Sequence, residues 1–292
     1  PTYRPGTVSV FNASGKYARV IGRPGRGPGE FRLPQRIRVS NRDTIYVLDQ
    51  SAGHLALFNP DFIYSRAIPI RGPVTDFAID TNGNVALSGV YVVGNKPIVG
   101  IHLLNARGIL LRSLGDEPVE TNRQKALLQL PPVHAFDITN NLIWVADPWS
   151  YVLQAFTYSG AVARKMVRQG SIFGRPQPDT SAPVRVRCMS VDSSILWVLS
   201  TVRSSNFQPE APLGDGGSYT PDQANRMWDT VIDAFATATG ELYASGRVRG
   251  LVRGFVGPSE VYTFTNDNSG IVQIETFTIR LSRTGSSGAR QP

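Results

Sequence analysis

Asp49 and Asp147 close two runs of the same kind, YVLD and WVAD. Carboxylates that recur at one position of a repeating unit could share a calcium ion, and an imidazole beside them would suit zinc. His54, across the QSAG turn from Asp49, is the third candidate ligand. The corresponding places in the other units hold Ser88, Ser200 and Thr265, and His102 and His134 fall at different strand positions. No G-x-S-x-G elbow, HExxH pair or paired CxxC occurs. Metal-dependent catalysis is left with two acids and one histidine, and no cofactor is expected.

A second chemistry is anion binding. The stretch RVIGRPGRGPGEFRLPQRIRV, residues 19–39, is rich in glycine and arginine. A Walker A loop ends in Gly-Lys-Ser/Thr and opens a helix, whereas Gly29 precedes Glu30-Phe31 and strand-like sequence, so the stretch reads as a chain reversal. Arginines at 19, 23, 26, 32, 36, 38 and 42, with a smaller set at 247, 249 and 253, contribute to a net charge of +8. Equal parity in a strand puts Arg36 and Arg38 on one face, with Ile37 and Val39 on the other. An RNA surface needs aromatics interleaved for base stacking, and this stretch offers Phe31 alone. Protein with an acidic surface is the favoured partner, and nucleic acid the disfavoured one.

The third chemistry is protein contact. Residues 201–228 mix Pro, Gly and Ser with Phe207, Tyr219, Met227 and Trp228. Loops of this length without a repeat pattern are functional or disordered, and interfaces enrich aromatics and methionine. Together with Arg23 and Arg26 on the reversal and Trp149 and Tyr151 at a sheet edge, these are the expected protein-binding residues. The competing reading is that Met227 and Trp228 cover a sheet edge. A connector at 115–132 contains TNRQKALLQL, a predicted short helix with Leu127, Leu128 and Leu130.

What must position these groups follows from composition and repetition. With 41% hydrophobic and 18% charged residues among 292, the chain has enough apolar side chain for a core and too little charge for disorder. No run approaches the roughly 20 apolar residues of a transmembrane helix. The single cysteine, Cys188, excludes an internal disulfide framework.

One theme recurs: TVSVF-NASG, LALF-NPDF, GIHLL-NARG, LQAF-TYSG and VIDAF-ATATG, each followed by another strand-like run. These are hairpins, with turn residues that tolerate positive φ or bond their own backbone. A second hairpin precedes most of them: RIRVSNRDTIYVLD, FAIDTNGNVALSG, AFDITNNLIWVAD, RCMSVDSSILWVLS and RGFVGPSEVYTFT. Equivalent turns at Phe11, Phe58, Leu104 and Phe156 are 47, 46 and 52 residues apart, the spacing of propeller blades. The next interval is 79, which places the insertion between the second and third strands of its unit. The expectation is an all-β, single-domain β-propeller over residues 1–292, with four-stranded antiparallel blades. Six blades are expected with the first incomplete, and five is the alternative.

The run RVIGRPGRGPGEFRLPQRIRVSNRDTIYVLDQSAGHLALFNPD resembles an NHL repeat, with its GxGPGEF joint followed by the strand body. The later part is similar to secreted bacterial six-bladed propellers, mostly without assigned activity. The resemblance implies a periplasmic or extracellular location, with any leader upstream of Pro1. The function expected is a non-catalytic scaffold for protein–protein interaction, an accessory subunit of a larger assembly such as a membrane-embedded complex. The alternatives are a metal-dependent hydrolase or lyase of the lactonase-like propeller type and an RNA-binding NHL-type propeller.

Overall fold

The computed structural model describes residues 6–12, 14–114, 132–147, 151–168, 185–208, 210–212, 219–267 and 271–281. The chain forms two compact units, Pro1–Gln169 and Gly170–Pro292. The connector at 115–132, Pro132 apart, and Trp149 lie outside the described residues.

Unit 1 opens with an antiparallel hairpin, β1 (Val8–Phe11) and β2 (Tyr17–Ile21). A short parallel pair follows, β3 (Arg23–Pro24) and β4 (Glu30–Phe31). Three four-stranded antiparallel sheets come next. They are β5 (Pro34–Val39), β6 (Ile45–Asp49), β7 (His54–Phe58) and β8 (Tyr64–Pro69); β9 (Val74–Ile79), β10 (Val85–Val93), β11 (Lys96–Leu104) and β12 (Leu110–Leu114); and β13 (Val133–Asp137), β14 (Leu142–Ala146), β15 (Val152–Thr157) and β16 (Val162–Val167). In each, neighbours in the chain are neighbours in the sheet.

Unit 2 has a fourth such sheet, β17 (Arg185–Asp192), β18 (Ile195–Arg203), β19 (Trp228–Ala236) and β20 (Leu242–Val248), and a three-stranded one, β21 (Val252–Phe255), β22 (Glu260–Asn266) and β23 (Val272–Thr278). Within the 201–228 stretch, Thr201–Arg203 extend β18, Pro221–Met227 form helix α1, and Trp228 opens β19. The fold is an all-β propeller of antiparallel four-stranded blades.

Local chemistry explains the hairpins. The Asn12 side chain accepts from Ser14 and Lys16 N–H, Asn105 does so from Arg107 and Ile109, and Asp80 from Asn82 and Asn84. The repeated Asn or Asp is therefore the turn itself, satisfying donors that the ladder leaves open. Phe62 stands in the left-handed region, φ 66°, where the equivalent turns place Gly15, Gly108, Gly160 and Gly240. Its ring carries the Arg19 guanidinium 4.8 Å from its centroid, a contact that offsets part of the roughly 1 kcal/mol backbone cost.

Period two explains the packing between sheets. All five residues of β6 are buried, and they point alternately to two neighbours. Tyr46 and Leu48 pack with Leu55 and Leu57 against Val74, Phe77, Val85 and Leu87 of the next sheet. Ile45 and Val47 pack with Ala56 and Phe58 against Ile21 and Phe31. In unit 2, Trp197, Leu199, Ile232 and Ala234 meet Val252 and Val261 in the same manner, with half-buried Cys188 at the margin. The core is thus a series of layers between blades, and the first strand of one sheet lies against that of the next: β5 on β9 and β9 on β13 in unit 1, β17 on β21 in unit 2.

Candidate functional site

The glycine-rich reversal does cradle an anion, and the anion is its own. The Glu30 carboxylate accepts from Arg26 N–H at 2.9 Å, Gly27 N–H at 2.8 Å and Arg23 Nε at 2.7 Å. The Gly27 bond, then the Arg23 bond, hold its carboxyl below the usual range. Two glycines make the fit. A Cβ on Gly25 would lie 1.9 Å from a Glu30 oxygen, and one on Gly22, at φ +73°, would lie 2.4 Å from the ring of fully buried Phe31. Arg23 and Arg26 are exposed on this joint.

The three candidate metal ligands sit in two sheets. Asp49, fully buried at the end of β6, accepts from the N–H groups of Arg32, Leu33 and Ala52, and so fastens the joint to the turn after β6. His54 is its cross-strand partner and half-buried. Asp147, after β14, is exposed, and its N–H donates to Val152 C=O. Among the described residues no three His, Cys, Asp or Glu come together as a metal cluster.

The other histidines are internal. His102 has Nδ1 2.9 Å from Ser113 Oγ and Nε2 3.2 Å from Gly89 C=O. His134 has Nε2 3.1 Å from Ala86 C=O, and burial disfavours its imidazolium.

Of the expected protein-binding residues, Tyr219 is 45% exposed, while Met227 and Tyr151 are buried. Phe207 and Trp228 are half-buried and pack together with their rings tilted by 51°, centroids 5.2 Å apart, with the Arg203 guanidinium 4.8 Å over Phe207. α1 starts with a capping box, Thr220 with Gln223, and has Pro221 at its first position. Its Asn225 accepts from Leu251 N–H and donates to Phe264 C=O, and its Asp222 accepts from Asn266. The helix fastens the β17–β20 sheet to the β21–β23 sheet. On its outer side Arg226 forks onto Glu210 with bonds of 3.0 and 2.8 Å.

The first strands, which in a propeller border the central channel, carry a feature absent from the sequence reading. Four of the five hold an extra residue against the second strand: Gln35 in β5, Thr75 in β9, Arg187 in β17 and Arg253 in β21. Bulges re-aim side chains and gather near functional sites. In unit 1 the neighbouring arginines share an acid: Arg38 reaches Asp76 Oδ1 at 3.0 Å, and Arg36 Nε lies 3.9 Å from the same oxygen. In unit 2 the bulge residues are themselves cations, and Arg185 stands beside them on β17.

A family model described as a 6-bladed beta-propeller, DUF5128, matches residues 2–81. No curated protein matches the chain. Among solved structures, a member of the DUF4221 family from Bacteroides vulgatus is 10% identical, covering 94% of this chain and 86% of its own, with a TM-score of 0.56. A putative exported protein from Bacteroides fragilis is 10% identical, covering 89% and 74%, with a TM-score of 0.54. A streptogramin B lyase is 12% identical over 95% and 77%, with a TM-score of 0.46. At 10% identity the likeness to the two Bacteroides proteins concerns the fold alone. No helix among the described residues is long and apolar enough to cross a membrane.

Proposed function

We propose that this chain is a non-catalytic, six-bladed propeller that serves as an extracytoplasmic interaction scaffold, an accessory subunit that meets an acidic surface of a larger assembly. One observation carries the reading: of the candidate metal ligands Asp49 is spent on backbone N–H groups and Asp147 lies exposed beyond another sheet, while the buried Asp80, Asp137, His102 and His134 are engaged with the chain itself. Asp49 holds three backbone N–H groups, Asp137 accepts from Asn140 and the Trp144 indole, Asp80 holds a turn, and His102 and His134 bond carbonyls. Of the expected protein-binding residues, Tyr219, Arg26 and Arg23 are exposed, one aromatic and two basic. The location is supported by the name of the similar Bacteroides fragilis chain, a putative exported protein.

Cross-linking in the native source, followed by mass spectrometry, tests the reading. Cross-links should join one recurrent partner to peptides carrying Tyr219 or the Arg23–Arg26 joint, and Arg26→Glu with Tyr219→Ala should remove them. A chain that migrates as a lone monomer in native extracts overturns the proposal.

A further inference from the structure

Arg185 and Arg187 on β17 and Arg253 on β21 lie on adjoining first strands. Arg187 and Arg253 are both bulge residues, Arg187 between the partners of Ser200 and Leu199 and Arg253 between those of Thr263 and Tyr262. Each bulge takes an arginine out of its ladder, on two first strands that lie against each other.

None of the three arginines belongs to an ion pair among the described residues. The Nε of Arg253 is buried without a hydrogen-bond partner, and its guanidinium lies 5.1 Å over the Phe264 ring, itself 5.7 Å from the Tyr262 ring. Thr201 stands directly opposite Arg185, so the two side chains share a face. Thr201 is 5% exposed, and its Oγ1 also lacks a partner. Burial, and after it the charge on Arg187, weakens the protonated form of both Arg185 and Arg253. Partly desolvated cations that repel one another, beside unpaired donors, form an arrangement that an anion would complete.

We propose that Arg185, Arg187 and Arg253, with the Thr201 hydroxyl, form a binding site for a doubly charged tetrahedral oxyanion, a phosphate or sulfate group. The donor set selects the class. Each guanidinium offers a fork of parallel N–H groups that matches two oxygens. Three forks and a hydroxyl exceed what the two oxygens and single charge of a carboxylate can satisfy, whereas a phosphate or sulfate presents four oxygens and two charges. Phe264 and Tyr262 add an apolar wall beside Arg253 that would accept the organic part of an ester.

The full chain, titrated by calorimetry at constant ionic strength with inorganic phosphate, sulfate, phenyl phosphate and acetate, tests the site. Phosphate and sulfate should bind and raise the thermal midpoint as ligands of the folded state, while acetate should not. Arg187→Gln should weaken phosphate at least tenfold and raise the midpoint of the ligand-free protein, because it removes the central repelling charge. Arg187→Lys, which keeps the charge and loses the fork, should weaken phosphate severalfold and guards against a folding defect in the glutamine variant. Arg36→Gln, in unit 1, should leave the affinity unchanged. Tighter binding of phenyl phosphate than of inorganic phosphate supports the site and assigns it an ester; equal binding supports it and assigns the free ion. Acetate acting as strongly as phosphate, or an affinity indifferent to both Arg187 variants and to Arg253→Gln, overturns the proposal.

Discussion

The first strands of the two units share a backbone device and differ in what it carries. In unit 1 the bulge residues are Gln35 and Thr75, both uncharged, and the arginines beside them converge on Asp76. In unit 2 the bulge residues are Arg187 and Arg253, with Arg185 next to Arg187's strand neighbours and no acid paired to any of the three among the described residues. The bulge occurs in both units, is missing from β13, and is compatible with either content. What separates the units is charge balance. On its first strands unit 1 pairs its arginines with Asp76, whereas those of unit 2 have no acid partner among the described residues, which is where the anion is proposed to bind.

The comparison extends to the ends of the second strands, and there the largest effect is expected. Asp49→Ala should cost about 3 kcal/mol in urea unfolding, since the N–H groups of Arg32, Leu33 and Ala52 lose their acceptor. Ser200, the corresponding residue in the interior of β18 in unit 2, is fully buried with its Oγ unpartnered. Ser200→Ala should accordingly be neutral or stabilise by up to about 1 kcal/mol in the same assay. A large loss there would mean that the hydroxyl has a role the comparison misses.

Asp76→Asn turns unit 1 into a partial copy of unit 2. Arg36 and Arg38 are each about half exposed, so their pairing is solvent-screened and the stability cost should stay below about 1 kcal/mol. Calorimetry should then detect a second, weaker phosphate site. Its absence would show that two arginines without a bulge cation do not suffice.

The smallest effect concerns His134, which sits near Asp76 and Arg38 and whose neutral ring is favoured by burial. Its folded pKa lies below the unfolded value of about 6.5. Below that pH the unfolded chain binds a proton that the folded chain refuses, so stability should fall as pH drops, by at most about 1.4 kcal/mol per unit. His134→Gln should flatten the urea midpoint between pH 7 and 5. An unchanged slope would assign the acid sensitivity elsewhere.

The hairpins were legible in the sequence because their causes are local. Asn12, Asn105 and Asp80 make their turns with donors a few residues away, and the apolar runs between them alternate toward two neighbours. α1 left a signal, Thr220 with Gln223 and Pro221, that the surrounding Pro, Gly and Ser obscured. The commitment of Asp49 to the joint depends on donors from Arg32 and Leu33, beyond the reach of any local pattern. The bulges depend on the register between two strands, so nothing in RVRCM or VRGF by itself marks Arg187 or Arg253 as the extra residue.

The anchoring of α1 has a mechanical consequence. Asn225 grips the backbone on both sides of the neighbouring sheet's first hairpin, at Leu251 and Phe264, while Asp222 holds Asn266. A helix tied at so many points behaves as a strut, so trimming the insertion to a short turn would loosen the adjoining blade and shift Arg253 relative to Arg187. The segment that looks most dispensable in the chain is the brace that sets the spacing of two cations.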